Sequence, residues 1–209
     1  MSAPELLLLG AGGHAESCID VVECDGRFTI AGLIGAASEV GTSVLGYPVV
    51  GTDEDLAAWV QKVPNVLVTV GQILTPGVRR RLVERARASG AQLPVIVSPM
   101  AHVSRHAQVG DGTIVMHGAV VNAGARVGRN CIINTMALVE HGATVGDDCH
   151  VATGARLNSG VMVGDGSFIG SGAIVRQLAH VGRECVVGMA AVVTRDVADG
   201  ATYISRRTS

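Results

Sequence analysis

The chain has 209 residues, 48% of them hydrophobic but only 2% aromatic, with 28 glycines and a formal net charge of −2. So even a balance offers no electrostatic case for nucleic acid or an anionic membrane as partner. No apolar run of about 18 residues marks a membrane-spanning helix. The apolar stretch over 6–9 has neither a basic start nor a cleavage site, so it reads as a strand rather than a signal peptide, and a cytoplasmic location is expected.

Taken in order, residues 5–9 predict a buried strand that turns through Gly10-Ala-Gly-Gly13-His14 into a helix over 15–24. A second strand is expected over 28–34, a short extended piece over 47–51, and a helix over 53–61 capped by Thr52. A third strand over 65–70 precedes a basic amphipathic helix over 76–89, with Arg79, Arg80, Arg81, Glu84, Arg85 and Arg87 assigned to its solvent side. Strands alternating with helices predict a Rossmann-like α/β domain over residues 1–92. Glycines between a first strand and a first helix let backbone N–H groups approach a phosphate. This turn lacks the third glycine of the dinucleotide fingerprint, and Gly35-Ala36-Ala37 puts no acid after the second strand. A nucleotide-sugar diphosphate is therefore expected ahead of a nicotinamide dinucleotide, with a merely tight turn as the alternative.

From residue 93 onward the pattern changes to a period of six. Every sixth residue from Val97 to Val193 is Val, Ile or Leu. The fifth position of the same unit is small, as in Ala119, Cys131, Ala137, Cys149, Ser167 and Cys185, and its second and fourth positions favour turn formers, as in Gly110 and Gly112. A unit this short makes one small strand and a turn, and stacking such units buries the aliphatic column in a continuous core. A narrow core with no room for rings also accounts for the low aromatic content. Cys131 and Cys149 are 149 − 131 = 18 residues apart, so they are predicted to stack with Cys185 in one interior column with Ser167 at the remaining rung. Small buried thiols in a reducing compartment are the reading. Cys18 and Cys24 fall in the first helix without a signature.

This repeat resembles the hexapeptide-repeat acyltransferases, whose fold is a left-handed parallel β-helix with three hexads to the coil. The resemblance assigns that fold to residues 93–209. The Gly-x-Gly-Gly-His turn ahead of it, with Cys131-Ile-Ile-Asn134-Thr135, Val139-Glu140-His141 and His150-Val151, resembles the sialic-acid and bacillosamine-type sugar acetyltransferases. That resemblance implies transfer of an acetyl group from acetyl-CoA to the amine of a nucleotide-linked 4-amino-dideoxysugar, in a homotrimer. It implies His141 as general base, Asn134 in the same catalytic pocket, and His150 in contact with acetyl-CoA. Backbone contacts to acetyl-CoA are implied near Ser159, Ser171 and Met189, and the substrate is implied to meet Gly12, Gly13, His14 and Gly71. An imidazole suits the chemistry, because an ammonium must lose a proton before its nitrogen can attack a thioester.

Several positions depart from the family pattern. Where members carry an acid directly after the base, this chain has Gly142. Glu140 precedes the histidine, and in an extended strand neighbouring side chains point to opposite faces, so the orienting partner is expected elsewhere. The acidic pair after the second strand is replaced by Gly35-Ala36-Ala37, the asparagine after the third strand by Ile73, and the usual ending by a tail in which Arg206 and Arg207 are candidates for the CoA phosphates. His102, His106, His117 and His180 are expected at turns on the surface. Two further readings stand beside the first. One is an O-acetyltransferase acting on a sugar hydroxyl. The other is a β-helix without transferase activity, either a scaffold or a γ-type carbonic anhydrase, for whose zinc His117, His141 and His150 lack the spacing. No metal ligands are assigned.

Overall fold

A computed structural model describes residues 3–204 as two compact units. One comprises the residues up to Gly71 with Gly77–Ser98, the other Gln72–Pro76 with the residues from Pro99 onward. The division thus falls after residue 98 rather than 92, and the short segment after the third strand groups with the second unit. Arg206 and Arg207 lie outside the described residues.

The first unit is an α/β sheet. Strand β1 (Glu5–Leu9) is an interior strand, and Leu6, Leu7, Leu8 and Leu9 are fully buried, as a parallel strand covered on both faces requires. Helix α1 (Gly13–Asp25) follows, then β2 (Thr29–Ile34), β3 (Ser43–Val44), β4 (Tyr47–Gly51), α2 (Leu56–Val60), β5 (Asn65–Val68) and α3 (Gly77–Ala88). The sheet order is β3-β4-β2-β1-β5, parallel except for the β3–β4 hairpin, which closes through Leu45 and Gly46, both at positive φ.

Two sequence expectations are corrected in this unit. Helix α2 starts at Leu56, not at residue 53, and its N-cap is Asp55 rather than Thr52. The Asp55 carboxylate accepts the Thr52 backbone N–H at 2.8 Å and faces its hydroxyl at 3.1 Å, which ties residues 52–55 into a turn. Those bonds hold the Asp55 pKa below the usual carboxylate range. Arg79, assigned to the solvent side, is 1% exposed. Its Nη1 donates to the carbonyls of Val68 at 3.0 Å and Val70 at 2.5 Å, so it satisfies acceptors left where β5 ends.

The second unit is the left-handed parallel β-helix expected from the repeat. Its two-residue strands form three parallel sheets in which neighbours are 18 residues apart, as in Val121 against Val139 (139 − 121 = 18). The aliphatic column faces inward: Val121, Ile133, Val151, Leu157 and Val175 are fully buried. At full burial each such side chain contributes about 1.5–3 kcal/mol. His102 and His180 begin strands rather than sitting at turns, and both are exposed.

The three corners of this prism are built differently. Two carry mostly alanine at the fifth hexad position; the third carries Thr113, Cys131, Cys149, Ser167 and Cys185, all buried. Along that third corner each side chain donates to a carbonyl of the next coil: Thr113 to Gly128 at 2.8 Å, Cys131 to Gly146 at 3.1 Å, Cys149 to Gly164 at 3.2 Å and Ser167 to Gly182 at 2.8 Å. The predicted cysteine column is present, with Ser167 as its remaining rung. Outside the same corner, Asp147 Oδ1 accepts the Arg129 N–H at 2.7 Å and Asp165 Oδ1 accepts the Asp147 N–H at 2.9 Å. These carboxylates lie where side chains on Gly128 and Gly146 would otherwise stand, which is why glycine occupies both positions.

Candidate functional site

In the β-helix the turn after strand Leu138–Val139 presents His141 to solvent, with its side chain 67% exposed. Glu140 Oε2 accepts the His141 backbone N–H at 2.8 Å and lies 2.8 Å from the imidazole Nδ1. This corrects the expectation that Glu140 faces away. The alternation of a strand ends at Val139, and in the turn that follows both side chains lie on the same side. Asn122, one coil earlier, donates to the same Oε2 at 3.2 Å and braces it. The His141 backbone N–H, ahead of the other bonds, keeps the Glu140 pKa below the usual carboxylate range. A carboxylate facing Nδ1 assigns the proton to that nitrogen and leaves Nε2 with its lone pair outward. Ser159, one coil on, brings its Oγ to 3.3 Å from the same Nδ1. His141, Gly142, Ser159, Gly160, Gln177 and Leu178 line a groove of about 470 Å³. Leu178 stands in left-handed backbone (φ 61°), 76% exposed, with its Cδ2 folded over Gly160.

A different corner holds the second group. Asn134 Oδ1 accepts the Thr135 N–H at 2.7 Å, which turns its amide nitrogen toward His150 Nε2 at 3.0 Å. His150 Nδ1 then donates to the Gln72 carbonyl at 2.6 Å, so neutral imidazole carries its proton on Nδ1 and accepts at Nε2. The ring is 7% exposed and meets Phe168 edge-on at 5.3 Å between centroids. Gln72, itself buried, donates from Nε2 to the Gly166 carbonyl at 3.3 Å. Ser171 and the exposed Met189 are on this corner, whereas Ser159 is on that of His141. Within the β-helix, therefore, the expected site residues fall into two groups on separate corners. His141 and His150 do not converge as ligands of one metal would.

In the α/β unit, Gly12 is the N-cap of α1, with no side-chain cap, and Gly13 and His14 open the helix. Side chains added at Gly12 or Gly13 would meet open space, so an anion can approach these N–H groups closely. Gly10, at φ 125°, is the glycine that packing demands: a Cβ there would lie 2.5 Å from Val70 Cγ2. Gly71 faces His14, a Cβ on it falling 3.5 Å from that of the histidine. Gly10 and Gly12 also border a cavity of about 610 Å³ shared with Gly35, Glu39, Asp53 and Arg81. Glu39 and Asn122 were not singled out in the sequence. Asn122 was within reach, since it precedes Glu140 by 140 − 122 = 18 residues, one coil.

Comparison with known proteins agrees with the fold of both units. Residues 5–86 match the model of the PglD N-terminal domain. Residues 142–177 match that of the bacterial transferase hexapeptide (six repeats), and residues 124–159 and 160–195 that of the hexapeptide repeat of succinyl-transferase. The acetyltransferase domain of PglB from Neisseria gonorrhoeae, solved with acetyl coenzyme A, is 34% identical over 96% of this chain and 95% of its own, with a TM-score of 0.88. PerB from Caulobacter crescentus, solved with CoA and GDP-perosamine, is 34% identical over 96% of this chain and 94% of its own, with a TM-score of 0.90. WeeI from Acinetobacter baumannii, 22% identical with a TM-score of 0.84, shares the fold. No curated protein sequence matches significantly. Fold and repeat together define a hexapeptide-repeat acetyltransferase. At this similarity along nearly the whole length, the chain belongs to the family of bacillosamine- and perosamine-type sugar N-acetyltransferases. Among the described residues no helix is long and apolar enough to cross a membrane.

Proposed function

We propose that this protein transfers an acetyl group from acetyl-CoA to the amine of a nucleotide-linked 4-amino-dideoxysugar, with His141 as general base. The observation that carries this reading is the Glu140–His141 pair at 2.8 Å, which holds a solvent-facing imidazole with Nε2 ready to accept a proton. The neutral sugar amine attacks the thioester carbonyl, and its proton passes to Nε2. Collapse of the tetrahedral adduct breaks the C–S bond, the CoA thiolate leaving and taking that proton from the imidazolium as free thiol. Glu140 stabilises the imidazolium that forms. Transfer is direct, since the amine is itself the nucleophile and no acyl-enzyme is needed. The donor and the sugar class are supported by the acetyl coenzyme A bound to the PglB domain and by the CoA and GDP-perosamine bound to PerB.

The nucleotide's diphosphate meets the N–H groups of Gly12 and Gly13, with His14 and Gly71 beside it. Acetyl-CoA runs along a groove made by Ser159 on one corner and by Ser171, Met189 and the Asn134–His150 pair on another. Two separate corners make one such groove only if copies pack side by side, so a homotrimer completes the site. Exposed Met136 (70%), Leu178 (76%) and Met189 (80%) on those two corners supply apolar surface for the packing.

The test is a thiol-release assay with acetyl-CoA against UDP-, GDP- and dTDP-linked 4-amino-4,6-dideoxysugars and free sialic acid. Release that depends on an amino sugar supports the reading. Release with sialic acid alone, or none with any acceptor, overturns it.

A further inference from the structure

The cavity bordered by the glycine-rich turn contains an acid that stands in for one absent from the usual position. An α/β domain that binds a nucleotide on a glycine turn commonly recognises the ribose 2′-hydroxyl through an Asp or Glu at the end of its second strand. Here β2 ends at Ile34, followed by Gly35-Ala36-Ala37. Glu39 instead reaches back to that point. Its Oε2 accepts the Ala36 N–H at 2.7 Å, while its own N–H donates to the Ala36 carbonyl at 2.9 Å. The Thr42 hydroxyl donates to the Glu39 carbonyl at 2.6 Å, so backbone and carboxylate are pinned together. A Cβ on Gly35 would lie 2.7 Å from Oε2. An acid at residue 35 and the folded-back Glu39 therefore exclude one another.

We infer that Glu39 is the ribose-recognising residue of this protein and makes the α/β unit selective for ribonucleoside over 2′-deoxyribonucleoside diphosphates. The inference rests on the nucleotide-sugar reading above and narrows its substrate class. Among the described residues Oε1 of Glu39 is uncommitted, and the carboxylate borders the same cavity as Gly10 and Gly12. A carboxylate accepts but does not donate, and it repels phosphate. The parts of a nucleotide it suits are neutral donors, and the ribose hydroxyls are those that lie nearest the diphosphate. Asp53 is less suited, since it already pairs with Arg85 at 3.9 Å, and Asp55 is held by Thr52. A 2′-deoxy nucleotide leaves Oε1 desolvated and unpaired, a loss of roughly 10–100-fold in affinity.

Calorimetric titration of the full chain with GDP, 2′-dGDP, UDP and 2′-dUDP tests this without depending on turnover. The wild type is expected to bind the better ribonucleotide about 10-fold or more tightly than its 2′-deoxy form. Glu39→Ala should abolish that ratio by weakening the ribonucleotide alone. Glu39→Gln keeps an oxygen for the Ala36 N–H and turns an NH2 toward the cavity, so the ratio should also fall while the turn stays intact. Equal binding of ribo and deoxy forms by the wild type, or equal weakening of both by the variants, overturns the assignment while leaving the nucleotide-sugar reading in place. If no nucleotide binds, that underlying reading fails and takes this one with it.

Discussion

Two corners of the β-helix follow the same six-residue rule and end in opposite conditions. At the corner of Thr113, Cys131, Cys149, Ser167 and Cys185, side-chain donors are consumed by backbone carbonyls inside, and carboxylates by backbone N–H groups outside. At the corner of His141 one carboxylate is spent on its own turn and on an imidazole, whose other nitrogen faces solvent. Chemistry is available where the repeat leaves polar groups unspent; where it spends them all, the result is stability.

The sharpest way to break this comparison is His141→Ala. Turnover should fall by roughly 10²–10⁴, with acetyl-CoA binding nearly unchanged by calorimetry. Loss of binding along with activity would mean that the base is not separate from the cofactor contact assigned to His150. Glu140→Ala should also lower kcat, by no more than His141→Ala does, because the imidazole remains but its orientation and proton assignment are lost. The sign of its pH effect follows from its lowered pKa. Stability from the Glu140–His141 bonds is present above the ordinary glutamate pKa and is lost as pH falls through the depressed folded value. Thermal unfolding of wild type and Glu140→Gln across acid pH should therefore converge at the low end.

At the sealed corner the prediction concerns stability, not turnover. Ser167 donates to the Gly182 carbonyl and accepts the Cys185 N–H at 2.9 Å, both within the core. Ser167→Ala orphans both groups and should cost about 2–4 kcal/mol in denaturant unfolding. Ser167→Cys, which copies the neighbouring rungs, should cost less. The thiols sharpen the same point. Burial pushes Cys18 up to about 12, and Cys149 is raised by its contact with Cys131 and by burial. Of the five cysteines only Cys24 is exposed, so an alkylating reagent at neutral pH should label one site in the native protein and all five after denaturation. The smallest effect belongs to Leu178→Gly, where relief of a left-handed leucine should raise the stability of the isolated chain by about 0.5–1 kcal/mol, while a trimer loses the apolar surface Leu178 offers to its packing.

The β-helix was legible in the sequence because its period is rigid: one aliphatic and one small position recur at fixed spacing, and each coil repeats the last. The cysteine column could be placed by arithmetic alone. The α/β unit was legible in its strands and helices, which follow apolar runs and glycines, but less so in its polar detail. Arg79 sits in a run of three arginines that reads as a solvated face, and only the orphaned carbonyls at the end of β5 reveal why one of them is buried. Glu140 and Glu39 illustrate the same limit. Each supplies a carboxylate at a place where the sequence pattern expects one from another position, Gly142 in one case and residues 35–37 in the other. A turn decides where each acid points, and the alternation rules that serve for strands do not carry across a turn.

The central claim is that Glu140 sets His141 to receive a proton at Nε2. Nitrogen-15 resonances of the His141 ring, recorded above the pH of imidazole titration in wild type and in Glu140→Gln, test it directly. The account predicts a wild-type ring protonated at Nδ1 with Nε2 bare, and a mixture of tautomers once the carboxylate is gone. A wild-type ring protonated at Nε2 would contradict it, because the nitrogen that faces the groove would then already hold the proton it is meant to accept.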